Sequence, residues 1–209
     1  VDSVVSRNVV MDLCAAFLAL GAPTRLRLRH ETLSGTLAAL TSGQADLALG
    51  VVLEPGLGSE IQHAVLGDIP FVYAVASHHP LASAPEPLDD KTLQQHRAVA
   101  VADSVSRGGG LTIGLLAGQD VFTVPDMASK LEAQLRGLGG GFLPRSLAQS
   151  YIDAGMLVAK QVARARTTTT HYAWREGRQS PTGHALRWWL DQLSQEVTRA
   201  ALLQPAHRV

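Results

Sequence analysis

Hydrophobic residues along the chain recur at two spacings, one typical of helices and the other typical of strands. Helical spacing predicts a first helix over residues 8–20, which Gly21-Ala22-Pro23 ends. Alternating leucine and arginine predict a half-exposed strand over residues 24–32. A short helix over 35–42, capped by Ser34, and a buried strand over 46–53 follow.

The rest of the chain continues this alternation of strands with helices. Because such alternation is typical of parallel sheets covered by helices, it predicts a mostly parallel α/β protein with two small lobes. The strands are predicted at residues 61–66, 70–76, 98–102, 111–116, 121–124, 141–143, 156–162 and 167–174. The helices are predicted at 89–95, 126–136, 144–154 and 181–203, and a glycine-rich loop at 104–110.

The composition excludes several classes of protein. The chain has 209 residues, of which 46% are hydrophobic, and its 18 basic residues balance its 18 acidic residues. A free-standing nucleic-acid-binding protein normally has more basic than acidic residues, so we expect that this chain does not bind DNA directly. The single cysteine, Cys14, cannot form an internal disulfide, fits a reducing compartment, and is expected to be buried. No apolar stretch has the length of a membrane span, and no signal-peptide pattern is visible.

Enzyme motifs are not evident. The glycines at 108–110 and 137–141 lack the spacing of a phosphate-binding loop, and no G-x-S-x-G sequence provides a hydrolase nucleophile. His78 and His79 are adjacent, so their side chains point apart at a strand end. We therefore predict no catalytic residue, no metal and no cofactor. Ligand capture remains, because the helix start at Ser34-Gly35 and the loop over 2–6 present hydroxyls and backbone N–H groups, although Ser34 also serves simply as a cap.

Several sequence segments together resemble the effector-binding domain of LysR-type transcriptional regulators. Each segment alone is weak, but they follow the family's order and spacing across nearly the whole chain. They are G-x-A-D-L-A-L-G at 43–50, H-P-L-A at 79–82, G-L-G followed by F-L-P at 137–144, G-M-L-V at 155–158 and Y-A-W at 172–174.

This resemblance implies an α/β fold with two Rossmann-like lobes joined by two crossover strands, similar to type 2 periplasmic binding proteins. Lobe I would comprise residues 1–76 and 169–209, and lobe II residues 77–168. The family also has an N-terminal winged helix-turn-helix and a linker helix, which are absent from this sequence. Since Val1-Asp2-Ser3 reads like the end of a strand, we expect the sequence to begin inside a longer polypeptide.

The family's function implies a cytoplasmic homodimer, not an enzyme, that senses a small effector, often anionic or aromatic, between the lobes. DNA would be contacted only through the missing N-terminal domain, and no membrane is involved. The alternative is a stand-alone periplasmic solute-binding protein of a transporter. Arg107 is a further candidate for charge near the ligand. The resemblance places ligand contacts at Asp2, Ser3, Ser6, Thr32, Ser34, Gly35, Ser104, Ser106, Thr123, Val124, Pro125, Asp126 and Phe142.

Overall fold

A computed structural model describes residues 1–53, 58–105, 114–163, 166–175 and 183–204. Helices alternate with strands over most of this length. The helices are α1 (Arg7–Ala19), α2 (Ser34–Thr41), α3 (Asp90–Gln94), α4 (Met127–Leu135), α5 (Arg145–Asp153), α6 (His184–Ser194) and α7 (Glu196–Leu203), with a 3-10 helix at Pro80–Ser83. The strands are β1 (Leu47–Val51), β2 (Ile61–Ala76), β3 (Ala98–Val101), β4 (Val121–Val124), β5 (Gly141–Pro144), β6 (Leu157–Lys160) and β7 (Arg166–Arg175).

The chain divides into two compact units. Unit 1 comprises Val1–Asp68 and Thr169–Val209, and unit 2 comprises Ile69–Thr168. The first boundary falls inside β2, whereas the resemblance places it after residue 76; the second falls at the start of β7, where the resemblance also places it. Thus β2 leads from unit 1 into unit 2, and β7 leads back.

Unit 1 is a sheet with helices on both faces. In it β1 pairs antiparallel with β7, and Gly50 forms a bulge between Leu49 and Val51. Because side chains alternate across a strand, each face of the sheet buries its own cluster. One cluster joins β1 and β7 to α1, α6 and α7 and contains Val5, Val10, Leu49, Leu66, Tyr172, Leu193 and Leu202. The other joins the sheet to α2 and contains Leu37, Leu40, Ala48, Val51, Ile61 and Ala173.

Unit 2 contains both antiparallel and parallel strand pairs. The antiparallel pairs are β2 with β5 and β2 with β6, and β3 pairs parallel with β4. One cluster contains Tyr73, Val75, Leu81, Leu88 and Leu93, and a smaller one contains Val99, Val124 and Ala133. Among the strand pairs with a described register, β3–β4 is parallel and the other three are antiparallel, whereas the isolated bridges Asp2–Glu31, Leu88–Val162 and Ala98–Gly140 are parallel. The described strand pairs are therefore mixed in direction and not mostly parallel as expected. The sequence pattern shows where strands occur but not which strands become neighbours.

Elements with strong local signals form as predicted. Helix α1 begins and ends within one residue of its predicted bounds. The Asp89 carboxylate accepts a hydrogen bond from the Thr92 N–H at 2.7 Å and thereby caps α3. Cys14 on α1 is half-buried and packs against the unit 1 core, so its predicted burial is only partial.

The predicted strand at 24–32 is wrong. Residues 24–30 form no strand, and the segment contributes only an isolated parallel bridge between Glu31 and Asp2. Leu28 is exposed, so the alternation of leucine and arginine does not correspond to one buried face. A strand needs a partner along its length, and here only the end of the segment finds one.

Three other boundaries also differ from the prediction. The two strands expected at 61–66 and 70–76 form the single strand β2, which continues through Gly67 with φ at 151°. The helix expected over 181–203 forms as α6 and α7, because Gln195 adopts extended backbone angles between them; residues 181–182 lie outside the described residues. Residues 114–116 are not part of the strand predicted at 111–116, and residues 111–113 lie outside the described residues.

Candidate functional site

The Asp2 carboxylate organises the unit 1 residues that the sequence singles out. It accepts hydrogen bonds from the Val4 N–H at 3.0 Å, the Leu33 N–H at 2.9 Å and the Thr36 hydroxyl at 3.4 Å. The Asp2 N–H donates to the Leu49 carbonyl at 2.9 Å, which attaches this residue to β1. One buried side chain therefore ties together the start of the chain, β1 and the beginning of α2.

Burial makes this carboxylate costly to ionise. Desolvation raises the pKa of Asp2 to about 6, although the hydrogen bonds from Val4, Leu33 and the Thr36 hydroxyl act in the opposite direction. The charged form is disfavoured in a low-dielectric environment because it loses its hydration. Asp2 thus connects several backbone segments of unit 1, and its charge state changes near neutral pH.

Helix α2 begins differently from the prediction. Ser34 is its first residue rather than its cap, and the capping position belongs to Leu33, whose backbone adopts φ 55° and ψ −121°. The Gly35 N–H donates to the Thr32 carbonyl at 3.0 Å, so residues 32–35 form a hydrogen-bonded turn that leads into α2. The N–H of the capping residue Leu33 donates to Asp2, which lies far away in sequence.

The structure brings Asp2, Thr32, Ser34 and Gly35 together around this turn. Ser3 lies half-buried between Asp2 and Val5, and the Val5 N–H donates to the Asp2 carbonyl at 3.1 Å. Ser6 precedes α1, and its N–H donates to the Leu202 carbonyl at 2.8 Å. The backbone donor expected at Ser6 is therefore used within unit 1.

In unit 2, the predicted residues collect where β3 and β4 end. Because these strands are parallel, their carboxyl ends lie at the same edge of the sheet, and the Ala102 N–H donates to the Val124 carbonyl at 2.8 Å. Ser104 follows β3 and is exposed, as are Thr123 and Pro125, whereas Val124 is buried. Such an edge is a common place for ligands in α/β proteins. Ser106 and Arg107 lie outside the described residues.

Asp126 begins α4 as the sequence predicts. Its carboxylate accepts a hydrogen bond from the Ser129 N–H at 2.7 Å. Phe142 lies on β5 instead of at the β3–β4 edge, and its half-buried ring packs edge-on against Tyr73 with ring centroids 5.5 Å apart. It therefore belongs to the hydrophobic contacts of unit 2.

The sequence reasoning missed two buried polar residues, Lys130 and Gln134, on the inner face of α4. They lie on the same helical stripe as Met127 and Leu131, a spacing that is visible in the sequence. No group of residues suited to a metal ion exists within the described ranges. His79 has a structural role, since its Nδ1 accepts a hydrogen bond from the Leu81 N–H at 3.1 Å.

Comparison with known protein families assigns the chain. The family model described as "LysR substrate binding domain" matches residues 1–198. The chain belongs to the LysR substrate-binding domain family. The resemblance stated from the sequence motifs is thereby confirmed.

Relatives of this LysR substrate-binding domain include regulators from Escherichia coli K12. The uncharacterized HTH-type transcriptional regulator YeeY is 38% identical over 193 residues, which cover 92% of this chain and 62% of YeeY. The probable HTH-type transcriptional regulator YhaJ is 31% identical over 176 residues, which cover 84% of this chain and 58% of YhaJ. The chain thus spans about three-fifths of the length of these relatives.

Solved structures confirm the predicted fold class. The regulatory domain of MetR, a LysR family regulator from Neisseria meningitidis, aligns with a TM-score of 0.64 at 14% identity and covers 93% of this chain and 87% of that domain. Full-length LysG from Corynebacterium glutamicum aligns with a TM-score of 0.63 at 20% identity, over 91% of this chain and 63% of LysG. The LysR substrate-binding domain described here therefore has the two-lobed, type 2 periplasmic-binding-protein-like α/β fold.

Over the described residues, no helix combines the length and apolar character that a membrane span requires.

Proposed function

We propose that this chain is the effector-sensing part of a transcriptional regulator, and that a small molecule bound to it changes DNA binding by the whole protein. The match of residues 1–198 to the LysR substrate-binding domain carries this proposal. The relatives named as HTH-type regulators support it over a solute-binding protein of a transporter. Sensing needs only a difference in ligand affinity between two conformations, so no covalent step is required.

Within unit 1, we assign effector contact to Ser3, Thr32, Ser34 and Gly35 and a positioning role to Asp2. The Asp2 carboxylate is buried and already accepts three hydrogen bonds from its own chain. Its contribution is to hold the turn over 32–35 in place. Ser6 is a weaker contact candidate because its backbone N–H donates to Leu202.

Within unit 2, we assign effector contact to the residues at the β3–β4 edge. Ser104 and Thr123 are exposed there and carry hydroxyl groups, while Val124, Pro125 and Asp126 shape the edge and start α4. Ser106 and Phe142 remain candidates from the family resemblance alone. A hydroxyl both donates and accepts hydrogen bonds, so this edge suits anionic and neutral ligands.

A metabolite panel tests the sensing function directly. Thermal shift and calorimetry on the 209-residue chain should identify a compound that stabilises it by mass action. Ser104→Ala and Thr123→Val should weaken that compound's binding, whereas the matched changes Ser150→Ala and Thr167→Val at other exposed positions should not. The proposal fails if no compound stabilises the chain, or if a compound is chemically converted by it.

For the whole protein, we propose DNA binding through a helix-turn-helix segment outside this chain, a cytoplasmic location with access to the chromosome, and assembly as an oligomer. The HTH-type names of YeeY and YhaJ support the DNA-binding part. A gel-shift assay with the full-length protein and DNA from upstream of its own gene should show a complex that the identified effector alters. A complex that is indifferent to the effector would contradict the coupling of the two sites.

A further inference from the structure

A buried histidine caps the 3-10 helix that follows β2. His79 is only 8% exposed, and its Nδ1 accepts a hydrogen bond from the Leu81 N–H at 3.1 Å. Leu81 is 1% exposed and belongs to the larger hydrophobic cluster of unit 2. A single imidazole nitrogen therefore helps to hold this short helix against the core.

This cap requires the neutral form of His79. A neutral imidazole has one donor nitrogen and one acceptor nitrogen, whereas both nitrogens of the protonated ring are donors. Because Nδ1 accepts from the Leu81 N–H, a proton added at Nδ1 would place two N–H donors against each other across this contact. The buried N–H of Leu81 would then lose its acceptor, which is costly away from water.

Two further histidines lie beside His79. The ring of His96, which follows α3, has its centroid 5.4 Å from that of His79, and His78 is the preceding residue. The backbone of His96 is held in place, because its N–H donates to the Leu93 carbonyl at 3.1 Å and its carbonyl accepts from Gln119 Nε2 at 3.0 Å. Burial, followed by the charges of His96 and His78, lowers the pKa of His79.

No negative charge offsets this effect within the described part of the chain. From β6, the buried Lys160 ammonium donates to the Ala82 and Ala84 carbonyls at 3.2 and 2.8 Å and pairs with Glu86 at 3.0 Å. The other charged residues on neighbouring elements are Asp89, Asp90 and Lys91 of α3, Arg97 with its partner Asp120, Glu132 with its partner Arg136, and Asp153 of α5. None of them acts on the pKa of His79.

We propose that His79, together with His96 and His78, forms an acid-sensitive latch in unit 2, and that protonation of the His79 ring releases the 3-10 helix over Pro80–Ser83 from the core. The contacts of Lys160 hold the far end of the same segment, and the hydrogen bond from Lys160 lowers the pKa of Glu86, so this ion pair persists in mild acid. The release is therefore a local opening next to His79. It would make unit 2 respond to acid without any ligand, which goes beyond effector sensing.

The sign of the pH effect follows from the direction of the pKa change. A histidine whose pKa is lowered by folding binds its proton more tightly when the surrounding structure opens, so acid favours opening. The contribution of His79 to stability is fully present above its ordinary pKa of 6.5 and is lost as the pH falls through the lowered pKa of the folded state.

Hydrogen exchange at the Leu81 N–H tests the latch directly. On the 209-residue chain, protection corrected for the intrinsic exchange rate should fall by about fivefold or more between about pH 7 and pH 5. His79→Asn is the decisive variant, because asparagine is a favoured capping residue whose oxygen accepts a hydrogen bond and does not titrate. Protection of Leu81 in this variant should change by less than about twofold.

Two further variants complete the experiment. His184→Asn removes an exposed histidine at the start of α6 in unit 1 and should keep the wild-type loss of protection. His96→Asn leaves the cap in place and removes a neighbouring charge, so the loss of protection in acid should become smaller. The melting temperature of wild type should also fall by at least about 2 °C more than that of His79→Asn between about pH 7 and pH 5.

Three results would overturn the latch. The first is equal protection of Leu81 at both pH values in wild type, and the second is the same loss of protection in His79→Asn as in wild type. The third is an equal loss at every amide of unit 2, since acid would then unfold the unit as a whole instead of opening the segment at Pro80–Ser83.

Discussion

Replacing Asp2 with asparagine should change how the stability of the protein depends on pH. Asparagine has the same shape as aspartate but does not titrate. The asparagine side chain keeps one acceptor oxygen and has an NH₂ group in place of the other oxygen. It can therefore no longer accept all the hydrogen bonds that Val4, Leu33 and Thr36 donate to Asp2. At a single pH, the change in stability caused by Asp2→Asn combines the loss of charge with the change in hydrogen bonding. The way this change varies with pH reports the charge alone.

The raised pKa sets the sign and the size of the effect. An acid whose pKa rises on folding from 3.8 to about 6 binds its proton more tightly in the folded state. Its contribution to the free energy of unfolding is therefore most favourable below pH 3.8, declines as the pH rises, and is lost above pH 6. At 1.36 kcal/mol per pKa unit, this shift corresponds to about 3 kcal/mol.

Urea denaturation of both proteins between about pH 4 and pH 7 measures this contribution. The free energy of unfolding of Asp2→Asn minus that of wild type should rise by about 2 kcal/mol across this range, because part of the decline lies below pH 4. Groups that titrate equally in both proteins cancel in the difference. Asp12→Asn, which removes an exposed carboxylate from α1, is the matched control.

A flat difference for Asp2→Asn would show that the hydrogen bonds from Leu33 and Val4 compensate fully for desolvation. A difference that falls with pH would mean that the folded state favours the ionised carboxylate. Either outcome would refute the description of Asp2 as a buried group that is destabilised by its charge.

Three further changes test other parts of the structure by urea denaturation. Gly50→Ala and Gly118→Ala share the roughly 1–2 kcal/mol penalty of a positive φ. Gly50→Ala should cost a further ~1–3 kcal/mol because its Cβ would lie 2.8 Å from Asp2 Cβ, whereas nothing lies within 4 Å at Gly118. Asp126→Ala should cost about 1 kcal/mol through loss of the α4 cap, and Asp126→Asn much less. Lys130→Met should stabilise the chain at neutral pH because it removes a buried charge, and this advantage should shrink as the pH rises above about 8, where the wild-type lysine loses its proton; a constant advantage would contradict the lowered pKa.

Sequence reasoning succeeds where a local signal determines the structure. The helices predicted to begin at Asp89 and Asp126 form, and both aspartates are their capping residues. Helix α1 and strands β3 and β4 likewise form near their predicted bounds, because apolar spacing alone defines them. The family motifs add the two-lobed fold, which no single element reveals.

Sequence reasoning fails where a residue far away along the chain determines the local structure. The start of α2 depends on Asp2, which lies 31 positions before Leu33 and accepts a hydrogen bond from its backbone N–H. β2 continues through Gly67 beside Leu203 of α7; a Cβ on Gly67 would lie 2.6 Å from Leu203 Cδ1. Neither contact has a signature within the local window, so the pattern predicts a serine cap in one case and a strand break in the other.

The buried polar residues Lys130 and Gln134 of α4 are missed for a different reason, because a helical stripe shows which residues face the core but not what a polar residue on it contacts. Lys130 and Asp2 are both buried charges whose pKa values move toward neutrality, and each lowers the stability of its own unit. Leu33 adds backbone strain beside Asp2, since a leucine at φ 55° costs about 1–3 kcal/mol. Selection for stability alone would replace such residues, because substitutions that remove unpaired charge or strain are readily available. Buried charge and backbone strain tend to cluster at functional sites, so we propose that the Asp2–Leu33 region of unit 1 is retained for effector contact.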